Sequence, residues 1–157
     1  MLQNIEDFLF NECVKYLGKY PATKKKLTDF INKKIRNKKI HIENRDKEIL
    51  LDKIISKLDD LKIINERDYL ESMFNYYQRS LFSIRRIKNK LYQKGFEEEK
   101  INKYISLQLQ ENPELEINIL KKYIQKKKLD NLEVNGLKRK LYQQNFTEKS
   151  IYKIINE

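Results

Sequence analysis

The chain has 157 residues, 36% of them charged and 39% hydrophobic, and carries a formal net charge of +11. Its Ile, Leu, Tyr and Phe content is enough to bury a core, which excludes a disordered polyelectrolyte, and 3 Gly with 2 Pro are too few for the tight turns of a β-sandwich or barrel. A single cysteine, Cys13, excludes an intrachain disulfide and a cysteine-based zinc site and fits a reducing cytoplasm.

Taken in order, the segments carry apolar residues at helical spacing. The first helix is expected over Leu2 to Leu17, with Ile5, Leu9, Cys13, Tyr16 and Leu17 on one stripe and Gly18 and Pro21 ending it. Thr23 is a suitable N-cap for a second helix carrying Leu27, Phe30, Ile31 and Ile35. A third, from about Asn44 to Leu61, has Ile49, Leu50, Ile54, Ile55 and Leu58 as its buried stripe. Asn65 then caps a helix with Tyr69, Leu70, Met73, Phe74 and Tyr77, and Ser83 caps the next, with Ile84, Ile87 and Leu91 inward. Gly95 is the expected left-handed residue past that helix, and Glu97-Glu98-Glu99 favours the start of another, carrying Ile101, Ile105 and Leu109. Asn112-Pro113 reads as an N-cap followed by Pro at the first helical position, ahead of Leu115, Ile119, Leu120 and Tyr123. A helix around Leu137 and Leu141 follows, with Asn145 at the left-handed position, and Thr147 caps a last helix carrying Ile151, Ile154 and Ile155.

One segment recurs. Ile87-Lys88-Asn89-Lys90-Leu91-Tyr92-Gln93-Lys94-Gly95-Phe96 returns as Leu137-Lys138-Arg139-Lys140-Leu141-Tyr142-Gln143-Gln144-Asn145-Phe146, and a weaker copy starts at Leu27. Repetition of this kind predicts an all-α fold, a tandem array of three three-helix repeats at residues 1–62, 63–111 and 112–157, stacked into an elongated, curved body.

Such an array offers a long surface rather than one pocket, and its charge attracts polyanions. With Ile84, Ile87 and Leu91 inward, a 100° step turns Arg86 and Lys90 outward and puts Arg85 on the flank; Lys140 takes the Lys90 position in the next copy. The expected binding residues are Arg85, Arg86, Lys90, Lys94, Lys138 and Lys140. Tyr92 and Tyr142, at one repeat position, are expected to pack between repeats. His41 has no nucleophile or metal cluster beside it, and Cys13 reads as core, so no catalytic residue, metal or cofactor is expected.

Three stretches, in order, resemble the RecX family, bacterial regulators of the RecA recombinase. The run from Ile54 to Tyr69 resembles the family's helix, short turn and acidic entry to the next unit. Arg85-Arg86-Ile87 through Leu91 and Lys94-Gly95-Phe96 resembles its central R-I-x-x-x-L-x-x-K-G-[IVF] block. Leu137 to Phe146, with Thr147 and Ile151, resembles its C-terminal L-x-R-R-G-F-[ST] block, with Gln144-Asn145 standing where the family tends to have Arg-Gly. The resemblance implies a non-enzymatic protein that engages the RecA–DNA filament and limits its activity in recombination and the SOS response, with DNA as a second contact; a monomeric, cytoplasmic protein is expected.

Two other readings fit the composition. A general nucleic-acid-binding helical protein would use the same cations without RecA. A protein held at a membrane surface by basic amphipathic helices would need apolar faces that stacking already consumes; no run approaches the roughly 20 apolar residues of a span, and Met1 to Asp7 lacks the basic start and apolar stretch of a signal peptide.

Overall fold

The computed structural model describes all 157 residues and contains nine α-helices and no strand. They are α1 (Leu2–Lys19), α2 (Lys24–Asn37), α3 (Asn44–Asp60), α4 (Glu66–Arg79), α5 (Ile84–Gln93), α6 (Glu98–Glu111), α7 (Leu115–Lys126), α8 (Val134–Gln143) and α9 (Glu148–Ile155). None is long and apolar enough to cross a membrane. The chain divides into two compact units, Met1–Tyr69 and Leu70–Glu157.

Helix starts follow the short polar side chains. Thr23 Oγ1 accepts from the Lys26 N–H at 3.2 Å, Ser83 Oγ from the Arg86 N–H at 3.3 Å and Thr147 Oγ1 from the Ser150 N–H at 3.3 Å. At α4, Asn65 Oδ1 accepts from the Asp68 N–H at 3.2 Å while Asn65 Nδ2 donates to Asp68 Oδ2 at 2.7 Å. Each such cap satisfies a backbone donor that the helix leaves open and contributes about 1 kcal/mol.

Helix ends share one device. Lys39, Lys62, Leu81, Gly95, Lys128 and Asn145 have positive φ, between 52° and 100°. The next residue in each case donates its N–H back to the last turn: Ile40 to Ile35 O at 3.0 Å, Ile63 to Leu58 O at 2.9 Å, Phe82 to Tyr77 O at 3.2 Å, Phe96 to Leu91 O at 3.3 Å, Leu129 to Ile124 O at 3.0 Å and Phe146 to Leu141 O at 3.2 Å. This is the Schellman geometry, in which a left-handed residue reverses the chain and an apolar one follows it inward. Phe96, Leu129 and Phe146 are buried accordingly.

The first unit buries Leu9 and Cys13 of α1, Leu27, Ile31 and Ile35 of α2, and Leu50, Ile54 and Leu58 of α3, with Ile64 closing the cluster. Tyr16 stacks on Phe30 at 4.4 Å between centroids. The second unit buries Phe74, Ile87, Leu91, Phe96, Ile101, Ile105, Leu120, Leu141, Phe146 and Ile151. Full burial of one such side chain contributes about 1.5–3 kcal/mol.

Three expectations are corrected. α1 runs through Gly18 to Lys19 and stops at extended Tyr20, because the following Pro21 disfavours helical geometry in the residue before it. Asn112 ends α6 rather than capping α7; it precedes Pro113, the Leu115 N–H turns back to the Asn112 carbonyl at 3.1 Å, and α7 starts only at Leu115. Ile49 is 50% exposed, since the buried face of α3 is centred on Leu50, Ile54 and Leu58 and the preceding position is rotated off it by 100°.

Candidate functional site

The recurring segment forms α5 and α8, both in the second unit. Their inward stripes are Ile84, Ile87 and Leu91 on α5 and Leu141 on α8. The cations lie off these stripes. Arg85, Lys94 and Lys140 are exposed, and Lys90 and Lys138 are half-buried. Arg85, Lys90, Lys138 and Lys140 form no ion pair within the chain, so their charge is directed to the surroundings.

Arg86 differs. Its guanidinium carbon sits 3.9 Å from the centroid of the Phe82 ring, and its Nη1 donates to Gln144 Oε1 at 2.7 Å. The expected outward orientation is therefore corrected: α5 does turn this position off its core face, but the α8–α9 turn occupies the space there. Among Arg85, Arg86, Lys90, Lys138 and Lys140, only Arg86 is bound by another element. The arginine stacks and hydrogen-bonds at once, a pairing that its planar fork supports and a lysine would not.

Around Arg86 lies a buried network. Ser83 Oγ donates to the Gln144 carbonyl at 2.7 Å, so the cap of α5 also holds the α8–α9 turn. Glu116, on α7 and only 6% exposed, accepts from the Ile84 N–H at 3.1 Å, the Thr147 N–H at 2.9 Å and the Thr147 hydroxyl at 2.7 Å. Ser150 Oγ lies 2.9 Å from Thr147 Oγ1. One carboxylate thus sits at the positive ends of both α5 and α9, where helix dipoles and open N–H groups favour an anion. The charge is already satisfied by three donors, which makes it a clamp rather than a reacting group. The apolar stripe of Leu115, Ile119, Leu120 and Tyr123 had no place for Glu116; the available signal is that it stands one turn before Leu120, on the same helix face.

The tyrosines are not buried in the core. Tyr92 is 59% and Tyr142 47% exposed, because one further 100° step past Leu91 or Leu141 leaves the buried stripe. Tyr92 instead lines an open groove of about 300 Å³ with Lys88, Asn89, Ile101 and Asn102. His41 is exposed in the α2–α3 loop. Cys13 is fully buried, and burial, with a smaller push from Glu12, raises its thiol to about 12. It is a small core residue and not a nucleophile. No three His, Cys, Asp or Glu side chains converge to hold a metal ion.

No model of a known protein family matches this sequence, and no curated protein matches it. The fold does have solved counterparts. The crystal structure of RecX from Lactobacillus salivarius superimposes with a TM-score of 0.74 at 23% identity, covering 98% of this chain and 96% of that one. A second crystal structure, of regulatory protein RecX, gives a TM-score of 0.71 at 20% identity over 99% of this chain and 74% of that one. The all-helical fold of this chain is thus shared with those two proteins, over 96% of the first and 74% of the second.

Proposed function

We propose that this protein is a RecX-type regulator that binds the RecA–DNA filament and restrains its activity in recombination and the SOS response. The observation that carries the reading is the likeness of the fold, over 98% and 99% of this chain, to two RecX crystal structures, in a chain whose three ordered sequence blocks resemble the same family. A net charge of +11, with Arg85, Lys90, Lys138 and Lys140 unpaired, suits a nucleoprotein partner. In this reading the repeats at 1–62, 63–111 and 112–157 lie along the filament and bridge successive RecA subunits as a monomer. Several weak contacts then add, and the filament is preferred over free RecA. The protein acts by occupancy and not by catalysis, and DNA phosphate is a second contact for Arg85, Lys90, Lys94, Lys138 and Lys140. Arg86 supports the surface from below through Gln144.

The deciding measurement is RecA ATPase on single-stranded DNA with increasing amounts of this protein; a rate unchanged at every ratio overturns the reading. Arg85→Glu with Lys90→Glu and Lys140→Glu should weaken the effect at unchanged helicity. The rival, a general nucleic-acid binder, is favoured by the charge alone. A protein neutralising about six phosphates loses roughly 10³-fold in affinity for naked DNA between 50 and 200 mM salt. A filament regulator keeps its preference for RecA-coated over naked DNA across that range.

A further inference from the structure

Apart from the α5 and α8 cations, the second unit has a groove between the C-terminal end of α4 and one flank of α7, with a volume of about 320 Å³. Arg79 and Lys122 line it, and neither forms an ion pair within the chain. Gln78, Asn112 and Asn118 complete the polar lining, and no acidic residue is part of it. Glu114, close in sequence, is already paired with Lys153 at 2.8 Å. The floor is aliphatic: Leu115 and Ile119 are 5% and 3% exposed, and Leu81 forms a wall from the left-handed position that ends α4. One turn beyond Lys122 on the same face of α7, Lys126 is exposed and unpaired and extends the cationic rim.

We infer that this groove binds an acidic segment of a protein partner, seating a carboxylate between Arg79 and Lys122 and a neighbouring aliphatic side chain against the partly exposed Leu81. A guanidinium and an ammonium without internal partners match a carboxylate, and the amide residues supply further donors around it. The aliphatic floor argues against single-stranded nucleic acid, which uses aromatic platforms for its bases; no aromatic residue lines the groove. A carboxylate on an aliphatic backbone uses both the rim and the Leu81 wall. The inference rests on the filament-binding reading and deepens it, since it names the chemistry of the protein segment that is held.

The test has two arms. In the first, a short fluorescein-labelled peptide of alternating glutamate and leucine is titrated with the full chain at low salt and followed by anisotropy. The wild type binds it, and R79E/K122E binds it at least about tenfold more weakly, a difference of about 1.4 kcal/mol. Both side chains are exposed, so the fold is kept and helicity stays unchanged, with at most a small fall in thermal midpoint from an acid in the last turn of α4; N118D, which puts a carboxylate in the groove without touching either cation, weakens binding as well. A labelled thymidine oligonucleotide keeps its wild-type affinity for R79E/K122E. No binding of the peptide by the wild type, equal binding by both proteins, or a parallel loss for the oligonucleotide overturns the proposal. In the second arm the proteins are co-sedimented with RecA filaments. A wild type that sediments beside an R79E/K122E variant that does not supports the groove. Equal sedimentation of the two overturns it while the filament reading stands. A wild type that fails to sediment overturns the filament reading, and the peptide arm then decides the groove alone.

Discussion

In Met1–Tyr69 the one buried polar residue, Thr23, caps its own helix, whereas in Leu70–Glu157 the buried Ser83, Glu116 and Ser150 belong to one network across α5, α7 and α9. The first unit is a hydrocarbon cluster rimmed by exposed ion pairs such as Lys24–Asp59 at 3.2 Å, and it leaves two buried acceptors, Asn32 Oδ1 and Glu66 Oε2, without donors. The second unit adds directional bonds to a similar hydrocarbon core. Apolar burial rewards compaction in any register. A carboxylate shared by two helix N-termini rewards a single register, and removing it strands donors that cannot reach water. The two units should therefore fail differently when altered.

The largest expected effect is at Glu116. Glu116→Ala should destabilise the protein by about 3–5 kcal/mol, because it leaves two backbone N–H groups and a hydroxyl without an acceptor at about 1–3 kcal/mol each. Urea unfolding measures the loss, and amide exchange should show it in residues 70–157 with little change in 1–69. A loss below about 1 kcal/mol, or one shared equally by both units, breaks the comparison. Glu116→Gln, which keeps one acceptor, should fall between the two. In the first unit Ile54→Ala, at a fully buried site, should cost about 2–5 kcal/mol through lost transfer and a cavity. Its exchange signature should be the reverse, confined to residues 1–69.

Cys13 sharpens the contrast through pH. Its thiol is raised from its ordinary 9.0 to about 12, so below pH 9 it is neutral in both the folded and unfolded chain. Above that, the unfolded chain ionises first, and stability falls by about 1.4 kcal/mol per pH unit until the folded thiol also ionises. A Cys13→Ala variant should lack this increment, so its deficit against the wild type should narrow between pH 8 and pH 10 in parallel urea titrations. A deficit independent of pH would show that the thiol is not held in hydrocarbon. The same burial should make native Cys13 inert to thiol reagents at neutral pH.

Smaller effects come from the helix ends, which the two units share. Lys62→Gly and Lys128→Gly should each stabilise by about 0.5–1 kcal/mol, because glycine takes the left-handed position without the Cβ penalty, while Gly95→Ala should cost about 1 kcal/mol. Thermal midpoints read both directions. Smallest of all is Asp59→Asn, whose half-exposed pair with Lys24 should be worth under about 1 kcal/mol and less at high salt.

What could be read from the sequence tracks how local each cause is. Thr23, Asn65, Ser83 and Thr147 announced their helices because a cap reaches only three residues along the chain. Gly95 and Asn145 announced their turns because their side chains tolerate positive φ. Lys39, Lys62, Leu81 and Lys128 adopt the same conformation without such a marker, and only the apolar residue after each hints at it. For the candidate surface, periodicity placed Lys90 and Lys140 off the core face, but it misjudged Arg86 and passed over Glu116.

The amino-acid order alone was enough for the helices, the four starts capped by Thr23, Asn65, Ser83 and Thr147, the recurrence of α5 in α8 and an apolar stripe for each, since all of these depend on neighbours within a turn or two. Which polar side chains became internal was decided by the tertiary structure. Arg86 meets Gln144 across 58 residues and Glu116 meets Ile84 and Thr147 across 32 and 31. A helical wheel gives the direction in which a side chain leaves its helix. It cannot say what stands there, because that depends on a packing arrangement in which a distant turn binds one cation and leaves the next one free.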